Sequence, residues 1–133
     1  MAVSEALVEQ VVRETSQRMQ DAQYAQLAIG HFAEQQPRVV QYLAAIAARL
    51  GGEEGVVQLA FHAELLCECL RRSSTRALPV VEWEALDVAS REDPVAVFAR
   101  REPALASYVA SNLEAPAWRL ELCRIGIALL DAD

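Results

Sequence analysis

Two histidines and two glutamates come closest to a reactive constellation in this chain. His31 and Glu34 stand three residues apart, which on a helix puts them on one face, and His62 lies two residues before Glu64. Imidazole and carboxylate are the ligand types of a metal held between helices. A carboxylate-bridged di-iron bundle needs more: Glu from two helices and Glu-x-x-His from each of two others. This sequence has no Glu-x-x-His, and its one His-x-x-Glu runs in the reverse order. His31, Glu34, His62 and Glu64 are therefore weak metal candidates. Surface or capping roles fit the histidines better, and no metal or other cofactor is expected.

Sulfur offers a second set. Cys67-x-Cys69 could suggest zinc, but side chains two apart on a helix diverge by about 200°, and a structural zinc site wants four ligands, usually with C-x-x-C pairs in loops. The spacing predicts small core residues, with Cys69 the one able to face solvent. Three cysteines, an odd number including Cys123, and an acidic start without a basic secretory leader predict reduced thiols in the cytoplasm.

Arg71-Arg72 and Arg100-Arg101 could fork onto a phosphate or carboxylate, although Glu68 and Glu102 beside them favour ordinary ion pairs. All twelve basic residues are Arg, so no lysyl Schiff base and no P-loop lysine can form. Genomic composition bias explains that usage. No Gly-rich phosphate loop, nucleophile elbow or H-E-x-x-H is present.

The elements that would carry these residues follow from apolar spacing. At 133 residues, 53% hydrophobic, the chain fits one domain, residues 1–133, able to bury a core without disulfides. A net charge of -7, with neither half basic, argues against nucleic acid, and no apolar run reaches the ~18 residues of a membrane span. Ser4 reads as an N-cap, and Thr15-Ser16 as a break that leaves one or two helices before Pro37. Pro37 ends one helix and starts the next, which Gly51-Gly52 stops. Residues 56–72 are apolar on nearly every side, as in a central helix. Residues 73–79 read as a linker. A short helix from about Glu82 follows, and Asp93-Pro94, Pro103 and Pro116 each open another.

At a constant offset of 66 residues, Phe32/Phe98, Ala33/Ala99, Pro37/Pro103, Tyr42/Tyr108 and Ala44/Ala110 are identical. Self-similarity at half the chain length predicts an internal repeat, residues 1–72 and 79–133, each a helical unit bent at a proline. The fold class expected is all-α, a compact bundle of about six or seven helices, and the repeat allows two three-helix halves about a pseudo-twofold axis.

Two functional readings follow. The leading one is a non-enzymatic cytoplasmic interaction or regulatory module that self-associates, a homodimer being plausible, or binds a protein partner. Its basis is the last helix, apolar over most of its circumference, so that Trp118, Leu122, Ile125 and Leu129, together with Trp83, are candidate contact residues. The alternative is a small-molecule or metal-binding protein, an enzyme among the options, with a pocket between the halves near His31 and His62. Neither reading involves nucleic acid or membrane.

Overall fold

Side-chain caps and prolines together set most of the helix starts. The computed structural model describes residues 2–74 and 77–132. These form eight α-helices and one 3-10 turn, with no strand among the described residues. The all-α bundle is as expected, with one helix more than the six or seven predicted.

Helix α1 (Glu5–Arg18) starts where the Ser4 hydroxyl accepts from the Leu7 N–H at 3.2 Å. Thr15 and Ser16 stay helical. The break falls at residues 19–21, because the Asp21 carboxylate accepts from the Gln23 N–H at 2.9 Å and caps α2 (Ala22–Gln35). Helix α3 (Pro37–Ala45) begins on its proline and runs into the 3-10 turn Ala47–Leu50. Gly51 and Gly52 then reverse the chain at φ +83° and +96°, which L side chains rarely adopt. Helix α4 (Glu53–Ser73) ends in Arg71 and Arg72 as its dipole favours. Thr75 and Arg76, inside the expected linker, lie outside the described residues.

The second half contains α5 (Trp83–Val88), α6 (Pro94–Arg101, capped by Asp93), α7 (Pro103–Asn112) and α8 (Pro116–Asp131). No helix among the described residues is long and apolar enough to cross a membrane. Helix α4 packs on α1, α2, α3 and α8, while α8 packs on α4, α5, α6 and α7. Phe32 and Phe98, Leu43, Leu66, Leu122 and Ile125 are fully buried around these two helices. At Gly126 a Cβ would lie 2.6 Å from the Phe98 ring, so glycine lets α6 close on α8.

The two proline corners share one geometry. Gln36 adopts φ -131°, ψ 65° and Glu102 φ -136°, ψ 71°, and their N–H groups reach the carbonyls of Phe32 and Phe98 at 2.8 and 2.7 Å. Both side chains are buried. The Gln36 amide donates to the Pro79 carbonyl at 2.9 Å and accepts from the Val81 N–H at 2.8 Å. One Glu102 oxygen accepts from the Val3 N–H at 2.8 Å. Each corner thus holds the extended segment that leads into the first helix of the other half.

Replacing Gln36 with leucine keeps the volume but strands the buried Val81 N–H, a loss of about 1–3 kcal/mol. Glu102→Leu should strand the Val3 N–H in the same way, whereas Glu102→Gln keeps an acceptor and should fold almost normally. Urea midpoints of the three variants check this, and equal midpoints for the two Glu102 variants would rule the clasp out.

Candidate functional site

Helices α2 and α4 bring three of the four metal candidates to one cleft. His31 and Glu34 face it from α2 and Glu64 from α4, with Glu68 and Arg71 further along α4; the cleft measures about 550 Å³. The Arg71 guanidinium donates to Glu64 and to Glu68, each at 2.9 Å, and to Gln35 at 3.0 Å. Its donors hold one Glu64 oxygen, while Oε2 is buried without a partner. Burial raises the Glu64 pKa above the ordinary carboxylate value against the pull of Arg71. Among the described residues no group of three or more His, Cys, Asp or Glu is placed to hold a metal. The cleft gathers acids without converging them. On its rim Leu27 is 71% exposed.

His62 lies elsewhere. Its Nδ1 shares a 2.6 Å hydrogen bond with the Tyr108 hydroxyl of α7. Burial lowers the His62 pKa below 6.5 and raises that of Tyr108, so both are neutral at pH 7. Tyr108 also lines a cleft of about 500 Å³ between α1 and α7, over Val8 and Ala104, with Glu9 and Arg13 beside it. A pocket between the halves thus exists, but neither histidine lines it.

The thiols are quiet. Burial pushes Cys67 and Cys69 up to about 12 and Cys123 up to about 11, so none is a thiolate near neutrality. Cys69, expected as the one able to face solvent, is wholly buried, because α4 is covered on both sides. Arg72, read as a candidate anion fork, is bidentate to Glu14 of α1 at 2.9 and 3.0 Å. Arg101 pairs with Asp131 at 2.9 Å.

The contact residues expected on α8 need correction. Leu122, Ile125 and Leu129 are buried within this chain, because α4, α6 and α7 enclose the apolar circumference that suggested an outward face. Trp118 is half-buried against the core, and Trp83 is 43% exposed at the start of α5. Sequence reading missed Glu121, a carboxylate 2% exposed that accepts from the Tyr42 hydroxyl and faces Arg124 at 3.5 Å. Burial, with Glu121 adding to it, pushes Tyr42 up to about 12. The Glu121-x-x-Arg124 spacing was the available signal, and it is too common on helices to single out.

Because burial lowers the His62 pKa in the fold, the unfolded chain takes up the proton more readily. The His62 contribution to stability is therefore complete above the unfolded value of 6.5 and is lost as pH falls through the folded one. The drop in urea midpoint between pH 7.0 and pH 5.0 should be larger for the native protein than for His62→Gln. Parallel drops would refute a His62 held neutral by burial.

Comparison of the chain with protein-family models, with curated proteins and with solved structures finds no match.

Proposed function

We propose that the protein is a non-enzymatic interaction module whose docking surface is the α2–α4 cleft. The observation that carries this is Leu27, a large apolar side chain 71% exposed on the rim of the cleft in which Glu64 keeps one oxygen buried without a partner. Support for a non-catalytic role comes from the thiols, which burial keeps protonated and therefore poor nucleophiles. The α1–α7 cleft competes less well, since its apolar floor of Val8, Ala104 and Tyr108 is already buried by the chain itself.

The repeat belongs to the same proposal: one ancestral helical unit, duplicated, forms two halves about a pseudo-twofold axis in a single domain. Matching corner geometry and reciprocal clasps support it. In a crystal structure, one rotation should lay residues 32–44 on 98–110 and Val81 on Val3, and the lack of any such rotation would sink the idea.

Self-association is the second reading, favoured by the exposed apolar trio Val80, Trp83 and Val88 around α5. Sedimentation at tens of micromolar should then show a dimer that Trp83→Ser dissolves, and a monomer alone would remove it. For the leading reading, a bead-bound full chain is compared with Gly30→Trp and Leu27→Asp in extracts of the source cell. Beyond the adjoining backbone of α2, no atom lies within 4 Å of a Cβ built at Gly30, so the tryptophan fills the cleft rather than the core. Quantitative mass spectrometry should find a protein enriched on the native chain and lost on both variants. A set of captured proteins unchanged by either variant contradicts the assignment.

A further inference from the structure

We propose that the α2–α4 cleft receives a basic amphipathic helix from another protein, one apolar side chain resting on Leu27 and one lysine or arginine reaching Glu64 and Glu34. This rests on the reading of that cleft as the docking surface and adds the chemistry of its occupant.

Geometry favours a helix. On α2, Tyr24, Leu27, His31 and Glu34 recur at three and four residues and line one face over about 15 Å. Glu64, Glu68 and Arg71 do the same on the facing side of α4. A groove between two helices with anchors at that spacing matches helix-in-groove recognition, and no sheet edge is present among the described residues for an extended peptide to join.

Gly30 adds an independent sign. Gly126 is required by Phe98 and Gly55 by the Leu50 backbone, but nothing inside the chain lies near a Cβ built at Gly30, which stands in the middle of α2 on the cleft. Glycine weakens a helix interior relative to alanine. An absent side chain that the fold does not need is explained by a neighbour that packs closely from outside.

Charge selects the kind of helix. Among the described residues Arg71 is the arginine that lines the cleft, and it is committed to Gln35, Glu64 and Glu68, with the adjoining Arg72 committed to Glu14 and Glu68. His31 lines the same cleft and acts on Glu64 through space without a hydrogen bond to its Oε2. Glu64 Oε2 remains buried without a donor, and Glu34 is exposed on the opposite wall. The chain has no lysine and carries -7 overall. A partner's cation is the missing complement, and the same negative field repels nucleic acid and anionic membrane.

The test is a display library of random 16-residue peptides selected on the full native chain and counter-selected on Gly30→Trp. Enriched peptides should place a lysine or arginine three or four residues from a large apolar residue. A synthetic copy should bind at least about tenfold more weakly to Glu64→Gln and should weaken as salt is added. Since Glu64→Gln also removes an Arg71 partner, the exposed Glu34→Gln serves as the second variant, and it too should lose affinity. Enrichment of acidic or uncharged peptides overturns the basic-helix inference while leaving the docking surface intact. No enrichment over Gly30→Trp overturns both.

Discussion

A residue that precedes proline is pushed out of helical backbone geometry by the pyrrolidine ring, and in this chain that constraint organises both halves. Gln36 and Glu102 stand before Pro37 and Pro103 with nearly the same dihedral angles, and their side chains are buried. A buried amide or carboxylate must find partners. Both find them in chain that has no helical partners of its own, the Val81 N–H and the Val3 N–H. Two local difficulties cancel at each corner. Val3 and Val81 immediately precede the caps of α1 and α5, so the corners also fix where those helices start and how they lie on the opposite half.

Apolar packing between α4 and α8 would tolerate sliding by a turn; polar pairs do not. Tyr42, on α3, bonds Glu121 and Arg124 of α8, and Tyr108, on α7, bonds His62 of α4. In each pair a tyrosine of one half meets the long helix of the other. Glu121 is enclosed by Tyr42, Arg49 and Arg124. Buried ion pairs contribute little net stability compared with apolar packing, yet removing one partner is expensive, which makes them good at excluding wrong registers.

What could be read from the sequence is what local chemistry decides. Ser4, Asp93, the starts at Pro37, Pro94, Pro103 and Pro116, and the glycine pair after Leu50 all act within a few residues, and each ends or starts a helix where expected. Thr15-Ser16 misled because Asp21 is the better cap and lies one turn further on. Cys69 and the face of α8 misled for another reason. Periodicity reports that a face is buried but not by what, and the cover came from elements distant in sequence. Gln36 looks like any polar residue before a proline, since its partner is 45 residues away. The candidate site was half legible: His31-x-x-Glu34 marks one wall, but only the packing of α2 on α4 puts Glu64 opposite it and sends His62 to Tyr108.

Burial sorts the ionisable groups by what they can still do. Inside, desolvation keeps thiols, phenols and imidazole neutral, and the hydrogen bonds of Tyr42, Tyr108 and His62 are spent on holding helices in place. Among the described residues two buried side-chain atoms have no partner, Arg124 Nε and Glu64 Oε2. Arg124 belongs to the Tyr42–Glu121 lock, where its guanidinium already donates to Tyr42 and faces Glu121. Glu64 has different company. The cleft that it lines also carries an exposed leucine and a mid-helix glycine with open space above it, and the glycine weakens α2 without serving its packing. The α2–α4 cleft thus brings together an exposed apolar side chain, a mid-helix glycine with open space above it and a carboxylate oxygen without a donor, and the proposed docking role rests on that juxtaposition.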